Sequence, residues 1–287
     1  MDLPASFATP VLYRPNISAR PRVDRAEMLR YLGYGGQEID LDLERRIVRC
    51  VEELELSIEP KGVRRTFRVD ASGTDDDGVP CIQLVGSEIV LTGRDIYRHL
   101  KDAAFCTVLA CTLGMDCERK LRTLASQQAL DAALFDAACS SYIEAAVEQM
   151  DRDVRTQAAN VGLSANWRFS PGYGDCPLSA QSSILAALNA SRLLGLTVTT
   201  TNLLMPTKSV TAFIGHLLFD GGMGTMLQAA GMKAGALPEL LNFSDPDVIT
   251  GIQRQYVEAG CDVITSNTFG ANAHKLNGAA SVEDVFA

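Results

Sequence analysis

Apolar and polar positions repeat along the chain with changing periods, and those changes set out its organisation. Three prolines (Pro4, Pro10, Pro15) and few periodic apolar positions mark residues 1–22 as an extended arm. Asp24 is placed to cap a first helix, RAEMLRYLG, which Gly33 stops. A second helix is predicted from about Asp40 to Leu56. It carries Leu43, Ile47, Val51 and Leu54 on one face and Arg45, Arg46, Glu52 and Glu53 on the others. VRRTFRVD, CIQLV and EIVLTG then read as strands, broken by the loop ASGTDDDGVP. RDIYRHLKD reads as a helix, AAFCTVLACTLG as a buried strand and residues 116–126 as a helix. Residues 131–158 form a long helix in which Ala137, Ala138, Ala145 and Ala146 permit close packing, while Ile143 and Val147 supply apolar bulk. A loop of Gly, Pro and aromatics follows at 168–179, then a helix over about 180–193, a strand LTVTT, a turn at Pro206 and a strand SVTAFIG. Helices and short strands alternate without βαβ regularity, so an α+β domain is expected over 23–215.

From Leu217 the pattern switches. LLF is a short strand running into Asp220-Gly-Gly-Met-Gly, followed by a helix and the linker GMKAGALPELLNF. Ser244 is placed to cap a further helix, with Pro246 in its first turn and Asp247 closing a capping box; Gly260 ends it as a C′ glycine. CDVITS is then a buried strand leading into Asn267-Thr268-Phe269. Strand–helix–helix–strand is the opening of a parallel α/β fold, so 217–287 is expected to be an incomplete (β/α)8 barrel of about two βα units. These 71 residues fall well short of the roughly 200 a closed barrel needs.

Composition narrows the function. At 287 residues, 47% apolar and 21% charged, the chain has the make-up of one or two globular domains. Lys plus Arg is 26 against 35 for Asp plus Glu, a net charge of −9 with no basic run, which argues against nucleic acid as a partner. No stretch reaches the roughly 18 apolar residues of a membrane span, and the first 22 residues lack the apolar core of a secretory signal. Eight cysteines without a C-x-x-C pair read as reduced structural thiols, which places the expected location in the cytoplasm. Asp75, Asp76 and Asp77 lack calcium-loop spacing and read as a solvated turn. His99, His216 and His274 are isolated and form no metal motif.

Two constellations carry chemistry. In Arg168-Phe-Ser-Pro-Gly-Tyr-Gly-Asp-Cys-Pro177, Gly172 and Gly174 let the backbone approach a ligand, while Pro171 and Pro177 stiffen the loop. Arg168 offers a fork for a carboxylate and Tyr173 a face for a base or cation. Those parts suit a small amphoteric ligand with a heteroaromatic ring; a plain structural turn is the competing reading. In the second, Asp220 and Asn267 each lie just past the carboxyl end of a predicted parallel strand, where barrel ligands bind. The alternative there is that Asp220 caps the following helix. The run DGGMGT lacks the G-x-G-x-x-G spacing of a dinucleotide fold.

RFSPGYGDCPLS with LTVTTTNLLMPTKSV, the opening EMLRYLGYGGQEID and the long DAACSSYIEAAVE helix together resemble the activation (reactivation) domain of cobalamin-dependent methionine synthase, especially its stand-alone form. The resemblance covers about residues 15–215. It implies binding of S-adenosylmethionine and support of reductive methylation of cob(II)alamin. The corrinoid would sit on a partner, a cobalamin-binding methionine synthase module, and a reductant protein such as flavodoxin would supply the electron. By motif, Arg168 would pair with the methionyl carboxylate, Pro171, Gly172 and Tyr173 would line the site, and Glu144 is a further candidate. The chain departs from the family where Leu178 and Ser179 follow Cys-Pro and where Thr200 replaces an expected Glu.

DGGMGTMLQ and SNTFGAN resemble the start of the homocysteine S-methyltransferase barrel. That resemblance implies a homocysteine pocket containing Asp220, Asn267 and Thr268. Zinc would belong only to a complete domain, whose ligand cysteines lie on later strands. The expectation is an accessory protein of methionine synthesis, not competent alone as a methyltransferase. The alternatives are the N-terminal part of a zinc-dependent homocysteine methyltransferase fusion, and a non-catalytic docking module for a corrinoid protein.

Overall fold

The structure is a computed structural model that describes all residues other than 1–6, 8, 16, 76, 234 and 287. The chain divides into two units, one of Asp2–Val161 with Ala165–His216 and one of Gly162–Ser164 with Leu217–Ala287. In chain order the strands are β1 (Val11–Tyr13), β2 (Lys61–Asp70), β3 (Cys81–Val85), β4 (Val90–Thr92), β5 (Phe105–Thr112), β6 (Leu163–Ala165), β7 (Thr197–Val198), β8 (Leu204–Met205) and β9 (Ser209–Leu218). The helices of the larger unit are α1 (Arg25–Tyr31), α2 (Leu41–Ser57), α3 (Arg94–Leu100), α4 (Gly114–Gln127), α5 (Ala129–Ala159), α6 (Ala180–Leu188) and α7 (Ala190–Leu194).

The order β4-β3-β2-β5-β9 forms one sheet, antiparallel at every pairing along that run. All eight residues of β5 are buried, and their alternation explains why. Leu109 and Cys111 enter a core with residues of α1, α2, α4 and α5, whereas Cys106, Val108 and Ala110 enter a second core with residues of α3, α6 and α7. A central strand covered on both faces must be apolar throughout, so the predicted buried strand at this position is matched by a three-layer mixed α/β architecture. Helix α5 follows the same logic at 31 residues, with Ala137, Ala138 and Ala146 buried and Ala145 only half-buried. A Cβ on Gly62 of β2 would meet the Met150 side chain of α5, so the glycine lets helix and sheet approach. The predicted Asp24 cap forms, its Oδ1 accepting from the Glu27 N–H at 3.1 Å; Asp40, read only as the start of the second helix, also caps it, its Oδ1 accepting from the Leu43 N–H at 2.8 Å.

Two expectations need correction here. Part of the arm is strand: Val11–Tyr13 pair antiparallel with Arg64–Gly62. Along that edge β3 pairs only with Arg68–Asp70, so the first half of β2 is left free and the arm fills it. Pro10 and Pro15 lie outside these three residues and so remove no donor from the ladder. The helix expected over 180–193 is two, broken at Asn189, which takes a left-handed φ of 52°. Asp75 Oδ1 accepts from the Asp77 and Val79 N–H groups in a tight turn; Asp76 lies outside the described residues. Among the described residues no helix is long and apolar enough to cross a membrane.

Two histidines are packed inside this unit. His216 is fully buried, its Nε2 2.6 Å from Thr107 Oγ1, which in turn lies 2.7 Å from Thr66 Oγ1. Burial lowers its pKa to about 4, assisted by Arg155 and Arg64. The half-buried His99 is lowered to about 4 by burial as well, against the rings of Trp167 and Phe169. A folded-state pKa below the unfolded value means that the unfolded chain binds more protons between pH 4 and 6.5. Stability is therefore full above about pH 6.5 and falls as pH drops toward 4, on the order of 3 kcal/mol for His216. Urea unfolding across this range should show that slope, and His216→Gln should flatten it; equal slopes would refute the assignment.

The smaller unit contains α8 (Met223–Ala229), a 3-10 turn (Pro238–Leu240), α9 (Leu241–Ser244), α10 (Pro246–Glu258), α11 (Ala273–Leu276) and α12 (Val282–Phe286). Its core is small: Leu227, Ile249 and Ile252, with Met223, Met226 and Tyr256 packed against them. The expected strand CDVITS does not form. A single parallel bridge joins Phe219 to Val263, and Val263 and Ile264 stay half-buried. A parallel strand needs a ladder and cover on both faces; here the pairing stops at the one bridge. Ser244 does not cap α10 but ends α9, and Asp245 occupies the cap position without a side-chain bond. Gly260 does follow α10 with φ +94°.

Candidate functional site

The 168–177 loop is held to the sheet at one end and to a helix at the other. Phe169 and Phe213 of β9 exchange both backbone hydrogen bonds, at 2.9 and 2.7 Å. The chain then turns tightly: the Gly172 N–H donates to Cys176 O at 2.9 Å and the Tyr173 N–H to Ser170 O at 3.2 Å. Gly172 has φ +92° and Gly174 φ +53°, which accounts for both glycines. At the far end Asp175 Oδ2 accepts from the Arg94 N–H at 2.6 Å and Oδ1 from Asp95 at 3.0 Å. Asp175 therefore caps α3, and those N–H groups hold its carboxyl below the usual carboxylate range. Sequence reasoning missed this residue, whose partners lie about eighty positions away. Cys176 is buried against the second core, and burial, with Asp175, pushes its thiol up to about 11, away from the thiolate form.

The loop borders a cleft of about 470 Å³ against β8 and β9. Arg168 projects from its wall, and Arg168 Nη2 lies 3.4 Å from Glu144 Oε2 and 3.6 Å from Glu148 Oε2, both on α5. The structure thus brings Glu144 to Arg168, and it adds Glu148, one helical turn further on, which the i, i+4 spacing would have revealed. Pro171 is buried in the wall, Gly172 is exposed on the loop, and Tyr173 stands at the rim, 72% exposed. The polar floor is Thr211, whose Oγ1 donates to Gln181 Oε1 at 2.7 Å, both side chains buried. A second cleft, about 670 Å³, lies on the other side of Arg168, Glu144 and Tyr173, against Arg22, Asp24 and Tyr31. One guanidinium between two carboxylates, at the meeting of two clefts, is suited to a ligand carrying both a carboxylate and an ammonium group.

In the smaller unit Asp220 accepts from Thr265, at 2.9 Å from both its N–H and its Oγ1. Gly222, not Asp220, stands at the start of α8, so the helix-cap reading of Asp220 is set aside. Asn267 is buried and turns elsewhere: its Nδ2 donates to Pro238 O at 2.7 Å and to Asn242 Oδ1 at 2.9 Å. Thr268 pairs with Ser266 Oγ at 2.8 Å. Asp220 is thus tied to Thr265 rather than to Asn267 or Thr268. Sequence reasoning also missed Glu239, buried, whose Oε1 accepts the Gly270 N–H at 2.5 Å. A Cβ at Gly270 would collide with that carboxylate, which explains the glycine in SNTFGAN. The PELLN segment therefore clamps the SNTFGAN loop from two sides. Among the described residues no three His, Cys, Asp or Glu side chains converge to hold a metal, and the unit's sole cysteine, Cys261, has its thiol pushed up by burial and by Asp220 and Asp262.

The larger unit is thus a mixed α/β unit with an antiparallel sheet and a glycine-rich loop at a charged cleft. The solved structure of the MetH reactivation domain bound to AdoHcy matches with a TM-score of 0.56, covering 88% of this chain and 90% of that one at 16% identity, a likeness of fold. Residues 217–286 match the family model Homocysteine S-methyltransferase. Methionine synthase of Mycobacterium tuberculosis is 44% identical over 63 residues, and that of Mycobacterium leprae 43% identical over 63. In each case the match takes in 20% of this chain and spans 5% of the relative's length. The chain thus resembles the MetH reactivation domain in fold and homocysteine S-methyltransferase over residues 217–286.

Proposed function

We propose that the larger unit binds S-adenosylmethionine in the cleft beside Arg168 and serves reductive methylation of cob(II)alamin carried by a methionine synthase module. The observation that carries this reading is the Arg168–Glu144–Glu148 group, with Arg168 on a loop anchored at both ends. The ligand's carboxylate would take the guanidinium, its ammonium one of the two glutamates, and its adenine the cleft wall near Tyr173. The cobalamin would belong to the partner and accept the methyl group, with the electron coming from a reductant protein such as flavodoxin. Calorimetry on the full chain tests the binding step: S-adenosylmethionine should give a saturable heat that S-adenosylhomocysteine competes away. No heat with either ligand would overturn the reading.

For the smaller unit, the family match favours a homocysteine-binding element to whose pocket Asp220, Asn267 and Thr268 would belong. Zinc-activated thiolate chemistry needs a set of ligands that does not come together among the described residues. The purified chain is expected to form no methionine from homocysteine, with or without added zinc. Zinc-dependent product from this protein would refute that expectation.

A further inference from the structure

Helix α2 has a second apolar stripe. Its inner face packs Ile47 and Leu54 into the core. On the outer face Leu41 (76% exposed), Val48 (45%) and Leu56 (82%) stand in solvent. Arg45 and Glu52, also exposed, fall between them. At 3.6 residues per turn these five positions share an arc of about 80°. Among the described residues Arg45 and Glu52 have no hydrogen-bonding or ion-pair partner, although neighbours on the same helix do: Arg46 reaches Asp42 and Asp131, and Glu53 reaches Lys120.

We propose that this face is a self-association surface, on which two copies pair their α2 helices antiparallel about a two-fold axis beside Val48. The spacing of the stripe selects that arrangement. Leu41 and Arg45 lie as far on one side of the axis as Leu56 and Glu52 lie on the other. Antiparallel pairing therefore sets Leu41 against Leu56 of the partner subunit and Arg45 against Glu52 of the partner subunit, each contact occurring twice, with the two valines meeting at the centre. Parallel pairing would set Arg45 on arginine and Glu52 on glutamate, which like-charge repulsion disfavours. A helix of 17 residues is about 25 Å long, so the contact belongs at the small end of specific interfaces. With a net charge of −9 on each copy also opposing association, the dimer is weak and concentration-dependent.

Sedimentation equilibrium of the full chain, from roughly 1 to 200 μM, provides the test. The wild-type chain should pass from monomer to dimer over this range. Arg45→Glu and Glu52→Arg should each weaken the dimer about tenfold or more, since each leaves two like-charge pairs. The combined Arg45→Glu/Glu52→Arg chain should recover association, because the pairs are restored with signs exchanged. Both positions face solvent in the monomer, so folding is not at stake; circular dichroism melts would verify it. A wild-type chain that stays monomeric throughout overturns the proposal. So does association unchanged by the single substitutions, which would move the contact to another surface such as the exposed Phe243 and Phe269, and so does failure of the combined chain to recover.

Discussion

Replacing Arg168 by alanine is expected to weaken S-adenosylmethionine binding roughly ten- to hundredfold, the equivalent of losing a charge-assisted hydrogen bond of about 1.5–3 kcal/mol. The side chain is 23% exposed, so its interactions are only partly screened by water. In the unliganded chain its charge is balanced by Glu144 and Glu148 at 3.4 and 3.6 Å. A ligand with both an ammonium and a carboxylate can enter this group by exchange, pairing its carboxylate with Arg168 while a glutamate turns to its ammonium. Without Arg168 the two glutamates remain and confront the incoming carboxylate, so the alanine variant loses an attraction and gains a repulsion. Arg168→Lys keeps the charge but not the planar fork and should fall between the two. Glu144→Gln should weaken binding less, because Glu148 remains. Calorimetric titration of the three variants checks the order, and equal affinity of wild type and Arg168→Ala would remove Arg168 from the site.

Local signals made much of this architecture legible. Asp24 and Asp40 sit where caps are needed, β5 is apolar at every position because both its faces are covered, and the glycine spacing of RFSPGYG marks a loop with left-handed backbone. Contacts between distant segments were not legible. Asp175 reads as an ordinary loop aspartate until the fold brings the first turn of α3 beneath it, and Glu239 reads as a surface residue of a linker until Gly270 closes over it. CDVITS failed for the opposite reason. Its composition is that of a strand, but a ladder is a property of two segments, and only Phe219 and Val263 meet. The arm shows the same rule with the other outcome: Val11–Tyr13 is only three residues long and becomes a strand because β2 leaves an edge open.

The capping of α3 by Asp175 leads to the second large effect, Gly93→Ala. Gly93 precedes α3 with φ +124° and ψ +141°, a region essentially closed to residues with a Cβ, at a cost of roughly 1–3 kcal/mol. The position is also crowded. A Cβ there would lie 2.6 Å from Asp175 Oδ1 and 2.8 Å from the Asp175 carbonyl oxygen. Gly93 supplies no cap of its own; its missing side chain is what lets Asp175 reach the Arg94 and Asp95 N–H groups. Alanine must therefore either strain the backbone or push Asp175 away, and in the second case the loop carrying Arg168 moves with it. The expected loss is about 3 kcal/mol in urea unfolding, with weakened S-adenosylmethionine binding in the protein that remains folded. Gly33→Ala supplies the comparison. Gly33 also has a positive φ, +74°, but nothing lies within 4 Å of its would-be Cβ, so only the backbone term of about 1 kcal/mol applies. A Gly93 variant no less stable than the Gly33 variant, with unchanged ligand affinity, would show that the Asp175 contact does not hold the loop in place.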